Sequence, residues 1–228
     1  MTRSLDRLTW PEVDARPGVL VVPLGSCEQH GPHLPFDTDT RIAVAVATAI
    51  VEADDRLVLG PTIGVSASGE HAGFAGTLSF GTVVVEEMLV ELARSADAFD
   101  GVVVVNGHGG NLETLAAATG RVVSEGRRFA AVSCHVPGGE PHAGWGETSI
   151  LLHLAPEVVR MDRAEPGVTL PWSEVGGRAV REGFAAITPN GVLGDPTRAT
   201  ASDGVALFSD LVARVRQQVG AAVTGWLA

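Results

Sequence analysis

The sequence predicts an α/β fold in which helices cover both faces of a parallel sheet. Short β-branched runs alternate with longer alanine-rich segments, which is the pattern of repeated β-α-β units. Residues 102–105 are all valine, as expected of a strand that is buried on both faces. These two observations predict parallel strands joined by helical crossovers.

The elements follow in a regular order along the chain. Strands are predicted at residues 18–22, 56–59, 102–105 and 128–133, because these segments are short and largely apolar. Helices are predicted at residues 40–53, 82–98, 111–123, 147–154 and 202–222, where apolar residues recur at helical spacing. Between residues 157 and 200, prolines alternate with glycines and isolated charges, which predicts a long irregular excursion over the surface. That segment could shape a substrate pocket or an oligomer contact, or be an ordinary connection.

Length, composition and charge limit the possible functions. With 228 residues and 45% hydrophobic composition the chain can bury a full core, and we expect residues 1–228 to form a single domain. The formal net charge of −11 argues against nucleic-acid binding. Cys27 and Cys134 match no paired metal-binding spacing, and we expect free thiols in a reducing cytoplasm. Without a signal peptide or an apolar run of about 18 residues, we expect a cytoplasmic protein with no membrane partner.

Residues 28–39 directly follow the first predicted strand and combine several kinds of metal-binding side chain. Glu28 and His30 offer a carboxylate oxygen and an imidazole nitrogen, and Asp39 has two oxygens that could bridge two cations about 3.5 to 4 Å apart. Each residue alone is more simply explained as part of a polar loop. Their combination favours a metal site.

A second polar segment, residues 106–111, lies between the all-valine strand and a predicted helix. Because loops at the carboxyl ends of parallel strands meet at one edge of the sheet, His108 should lie near the first loop. Three glycines would also suit a phosphate-binding loop, but neither the GxGxxG nor the GxxxxGK[ST] pattern is present.

Two further segments carry candidate residues. In residues 142–149, Glu147 can complete a metal shell or simply favour the first turn of a helix, and His142 is a candidate general acid or base. In residues 64–81, Glu70 and His71 could contact substrate, support the metal shell or be purely structural, and we do not count them as ligands.

Three segments, EQHGPHLPFDTD, VNGHGGN and HAGWGETS, resemble in this order the creatininase family of metal-dependent amidohydrolases. The resemblance extends along most of the chain. It implies a three-layer αβα fold with a mainly parallel sheet, a two-metal centre and a homo-oligomer, frequently a hexamer. By motif position, it assigns ligand roles to Glu28, His30, Asp39 and His108.

One position departs from creatininase proper, which has an acidic residue where this sequence has Gly110. The departure argues against creatinine as the substrate, and we choose Glu147 as the remaining carboxylate ligand. The expected cofactors are two divalent metal ions per subunit. Oxygen and imidazole ligands without thiolate accept Zn, Fe(II) or Mn, so the sequence does not select among them.

Within the family, the runs GEHAGFAGTLSFG and NGVLGDPTRATASDG resemble members that cleave a modified precursor peptide near its C-terminus. The resemblance implies release of a small redox-cofactor precursor built from the terminal Val and Tyr of that peptide. We expect a metal-dependent peptidase in which His142 protonates the leaving nitrogen. The alternatives are hydrolysis of a small cyclic amide or formamide and, more distantly, a non-catalytic nucleotide-binding α/β protein.

Overall fold

The computed structural model describes residues 2–136 and 138–226, and its centre is a parallel sheet. In the described residues the strands are β1 (Val19–Leu24), β2 (Leu57–Leu59), β3 (Gly101–Asn106) and β4 (Phe129–Ser133). They lie in the order β2-β1-β3-β4, and each neighbouring pair is parallel. All residues of β1 and β3 are buried, because helices cover these central strands on both sides.

Helices cover both faces of the sheet. In the described residues the helices are α1 (Trp10–Ala15), α2 (Thr38–Glu52), α3 (Thr82–Ser95), α4 (Leu112–Ser124), α5 (Trp145–Leu154), α6 (Trp172–Glu182) and α7 (Ala201–Val223). Apolar side chains of α2, α5 and α7 pack on one face of the sheet, and those of α3 and α4 pack on the other. This arrangement confirms the predicted three-layer α/β fold. No helix in the described part of the chain is both long and apolar enough to cross a membrane.

The prediction of an irregular surface excursion for residues 157–200 is wrong in part. The segment contains α6, and Thr188, Val192 and Leu193 within it are fully buried. Two adjacent glycines in the interior of α6 weaken its sequence signal, because glycine is a poor helix former. The helix packs through a small apolar cluster that includes Ala179 and Phe184, so tertiary contacts outweigh local propensity.

The sheet order determines where polar loops can meet. Strands β1 and β3 are neighbours, and β4 lies next to β3, so the loops that leave their carboxyl ends share one edge of the sheet. In parallel α/β folds this edge is the usual place for a site. Here it receives the three polar segments that begin near residues 25, 107 and 134.

Candidate metal centre

The structure brings five buried or partly buried polar side chains together at this edge. They are the five ligands predicted from the sequence: Glu28, His30, Asp39, His108 and Glu147. The first four are at most 4% exposed. Such burial of carboxylates and imidazoles requires partners, since an unpaired buried charge is strongly unfavourable.

Asp39 lies at the centre of the cluster, and its two oxygens face different histidines. His30 Nε2 is 3.1 Å from Asp39 Oδ1, and His108 Nδ1 is 3.2 Å from Asp39 Oδ2. Two groups of potential ligand atoms share this residue, one with Glu28 and His108 and the other with His30 and Glu147. Within each group the atoms lie within 4.8 Å of one another, which is compatible with two cations on either side of one carboxylate.

Local structure holds Asp39 in the first turn of α2, against the loop after β3. Ser26 Oγ donates a hydrogen bond of 2.9 Å to Asp39 Oδ2. A Cβ atom at Gly107 would lie 2.4 Å from the backbone oxygen of Asp39, so only glycine permits this close approach of the two loops. The glycine therefore explains how His108 reaches Asp39.

Backbone carbonyls fix the orientation of the two imidazoles. His30 Nδ1 lies 3.1 Å from the carbonyl oxygen of Glu28, and His108 Nε2 lies 3.0 Å from that of Ala67. We assign an N–H to each of these nitrogens, because a carbonyl can only accept. His30 Nε2 and His108 Nδ1 then face Asp39, and each would offer a lone pair to a cation that takes the place of its proton.

Glu28 provides a test of whether the cluster fits a metal. Both of its carboxylate oxygens are fully buried, and neither has a hydrogen-bond partner in residues 2–136 and 138–226. His108 Nδ1 is only 3.0 Å from Glu28 Oε1. Burial lowers the pKa of His108, but Glu28, Asp39 and Glu70 outweigh burial and raise it well above its usual value, so Nδ1 binds a proton in the metal-free site. A divalent cation between the two atoms would take the place of that proton. The residues therefore fit a divalent metal.

The charges of the cluster shift the pKa values of its members strongly. Burial lowers the pKa of His30, but Asp39, Glu147 and Glu28 outweigh burial and raise it to about 9. Burial raises the pKa of Asp39, yet His30 and His108 hold it well below its usual value. Burial, together with Asp39 and Glu28, raises the pKa of Glu147 to about 7. The buried carboxylates therefore attract positive charge to the centre of the cluster.

Glu147 is placed by an unusual turn before α5. Its Oε2 accepts a hydrogen bond of 2.6 Å from the backbone N–H of Ala143. Ala143 is fully buried and has a φ of 52°, in the left-handed region that non-glycine residues seldom adopt. Such strain costs on the order of 1–3 kcal/mol and clusters at functional sites. The turn directs an N–H towards Glu147 and so orients the carboxylate.

Gln29 connects the cluster to two further histidines, and sequence reasoning did not identify it. Its side-chain Nε2 lies 3.0 Å from the carbonyl oxygen of Gly191 and 3.0 Å from His71 Nδ1. These two contacts use both amide hydrogens. His142 Nε2, which is 2.8 Å from the backbone oxygen of Gln29, must then carry its own N–H and donate it.

With its Nε2–H donated, His142 presents Nδ1 to the cluster, 3.9 Å from Glu28 Oε1. Burial and the neighbouring His30 and His71 lower the pKa of His142 well below its usual value. The imidazole is therefore neutral at pH 7, and Nδ1 carries a lone pair. A third group of potential ligands, made of Glu28, His30 and His142, shows that His142 also lies within reach of a metal.

Three other side chains reach the site. The sequence left open whether Glu70 and His71 support the metal shell, and the structure places both beside proposed ligands. Glu70 Oε1 lies 3.4 Å from His108 Nε2, and His71 Nε2 lies 3.4 Å from Glu28 Oε1. The ring of Phe184 packs against that of His71, with the two ring centroids 4.0 Å apart. Phe184 lies in the segment expected to be irregular, so no sequence signal pointed to it.

A cavity of about 240 Å³ opens beside the cluster. It is lined by His108 and Glu147 and by apolar side chains that include Leu112, Pro141 and Ile150. Ligand sites typically combine apolar walls with a few polar groups in this way. The cavity provides room for part of a substrate next to the candidate metal ligands.

Known proteins resemble this chain along most of its length. The sequence model of the creatininase family, described as creatinine amidohydrolase, matches residues 6–219. The mycofactocin precursor peptide peptidase of Mycolicibacterium smegmatis is 50% identical over 200 residues, which are 85% of this chain and 81% of that protein.

Solved creatininase structures show the same fold. A mutant creatininase of the Zn-Zn type has a TM-score of 0.82 at 23% identity and covers 96% of this chain and 98% of its own. An Mn creatininase has a TM-score of 0.79 at 24% identity with the same coverage. The family match and the buried cluster support binding of divalent metal.

Proposed function

Because the chain belongs to the creatininase family, a family of hydrolases acting on C–N bonds, we propose that it is the metal-dependent peptidase that cleaves the mycofactocin precursor peptide. The substrate is inferred from the relative that is 50% identical. The observation that carries the chemistry is the buried cluster centred on Asp39, with the unpartnered carboxylate of Glu28 beside it.

The proposed centre holds two divalent ions. One would be held by Glu28, Asp39 and His108, and the other by His30, Asp39 and Glu147. Three carboxylates and two imidazoles, without thiolate, suit Zn, Fe(II) or Mn. The hydrogen bonds from His30 and His108 to backbone carbonyls support the assignment, because they leave the nitrogens that face Asp39 free to bind a cation.

Such ions polarise an amide carbonyl and make water a nucleophile at neutral pH. The protein's own groups then have to manage the protons. His142 is neutral and presents Nδ1 to the cluster, so it can accept a proton as water attacks and deliver that proton to the leaving nitrogen. Its donated hydrogen bond to the backbone of Gln29 keeps the ring oriented during both transfers.

We propose that the cut lies near the C-terminus of the modified precursor and releases the product built from its terminal Val and Tyr. The test is incubation of the modified peptide with metal-loaded protein, followed by mass spectrometry. We expect the released fragment to appear with the wild type and to be absent with chelator-treated protein. The unmodified peptide serves as the matched substrate control.

A second candidate function is hydrolysis of a small cyclic amide or a formamide. It is favoured by the description of the family as creatinine amidohydrolase and by the modest size of the cavity, about 240 Å³. If a panel of small amides were cleaved while the modified peptide stayed intact, this candidate would replace the peptidase.

A further inference from the structure

A space left by the glycine at position 110 is filled by the carboxylate of Glu70. A Cβ atom at Gly110 would lie 2.2 Å from Glu70 Oε1 and 2.3 Å from His108 Nε2. The backbone of Gly110 is not in the left-handed region, so space, and not backbone conformation, requires glycine here. Any side chain at position 110 would clash with Glu70 and His108 in their observed positions.

Glu70 lies behind the imidazole of His108, on the side away from the cluster. Its Oε1 is 3.4 Å from His108 Nε2, the nitrogen whose N–H donates to the carbonyl oxygen of Ala67. The other nitrogen, Nδ1, faces Glu28 and Asp39. The side chain of Glu70 is 18% exposed, so water screens this contact only partly. A short 3-10 helix, Gly69–His71, fixes the backbone from which Glu70 extends.

We propose that Glu70 is a positioning residue for the metal centre, and that Gly110 is required because it leaves room for that carboxylate. Negative charge next to His108 Nε2 favours the tautomer with the proton on that nitrogen and makes Nδ1 a stronger donor to a cation. Carboxylates placed behind metal-binding histidines generally act in this way, and their loss typically weakens metal affinity by about 10- to 100-fold. The inference deepens the proposed function and rests on it.

The affinities of the two metal-binding steps distinguish the loss of this contact from a general loss of structure. His108 belongs to only one of the two proposed ligand groups, whereas the other contains His30 and Glu147. Removal of the Glu70 carboxylate should therefore weaken one metal-binding step and leave the other unchanged. General destabilisation would weaken both.

The experiment is a titration of metal-free protein with Zn²⁺ in competition with a chromophoric chelator, which gives the Kd of each step. We expect Glu70→Ala to raise one Kd by about 10- to 100-fold. Glu70→Gln, which keeps the shape of the side chain, should raise the same Kd by less. Gly110→Ala should act on that step too, because its methyl group would displace Glu70 and press on His108.

The matched control is Glu113→Ala, which removes an exposed carboxylate from the first turn of the nearby helix α4 and should leave both Kd values unchanged. Wild-type Kd values in the folded Glu70→Gln and Glu70→Ala proteins, or equal weakening of both steps, would overturn the inference. Failure of the wild-type protein to bind Zn²⁺, Fe(II) or Mn²⁺ at all would instead contradict the proposed function.

Discussion

Replacement of Asp39 by asparagine is expected to abolish binding of both metal ions and to lower the rate of peptide cleavage by a factor of about 10³ or more. Metal ions supply several kcal/mol of transition-state stabilisation, and each 1.4 kcal/mol is about a factor of ten in rate. Among the five proposed ligands, only Asp39 belongs to both ligand groups, so its loss should empty both halves of the centre.

The effect follows from the two contacts that Asp39 makes. Its oxygens lie 3.1 Å from His30 Nε2 and 3.2 Å from His108 Nδ1. An amide keeps one oxygen but replaces the other with an NH₂ group, which is uncharged and cannot bind a cation. Asparagine has nearly the same shape, so the first turn of α2 should remain folded.

The measurement is metal content per chain by elemental analysis, together with the rate of peptide cleavage. Asp37→Asn is the matched control, because Asp37 lies two residues earlier, is 48% exposed and pairs with Arg41 on the surface. That variant should keep its metal and its activity. Retention of both ions by Asp39→Asn would rule out the shared carboxylate.

Replacement of His142 by alanine is expected to lower the turnover number by about 10²- to 10⁴-fold, the usual contribution of a general acid or base. Metal content should stay at the wild-type level. The reason is that His142 Nδ1 lies 3.9 Å from Glu28 Oε1, close enough to exchange protons with groups bound at the cluster, whereas the five proposed ligands are complete without it.

The metal content of the His142→Ala protein decides whether His142 transfers protons or binds a metal ion. Unchanged content with slow turnover supports proton transfer. Loss of metal would place His142 in the ligand set, as its position near Glu28 and His30 allows. A normal rate at full metal content would show that another group transfers the proton, with His71 as a candidate because its ring centroid lies 4.6 Å from that of His142.

Much of the fold and the composition of the cluster could be predicted because the relevant signals are local. Strands β1 and β3 are continuous apolar runs, since helices bury them on both sides. The proposed ligands follow the ends of neighbouring strands or open a helix, so the β-α-β pattern itself indicates that Glu28 and His108 meet.

The remaining features depend on contacts between distant segments. Helix α6 carries two interior glycines and is held by packing, which its own sequence does not encode. The role of Gln29 emerges only when Gly191 and His71 lie beside its amide. The contact of Glu70 with His108 likewise requires the loop after β2 to reach the loop after β3.

In the proposed centre, one carboxylate, Asp39, would bind both metal ions. The most direct measurement is a crystal structure of the metal-loaded protein with anomalous diffraction data collected at the absorption edge of the bound metal. We expect two anomalous peaks about 3.5 to 4 Å apart, on either side of Asp39. A single peak, or peaks that do not contact Asp39, would contradict this arrangement.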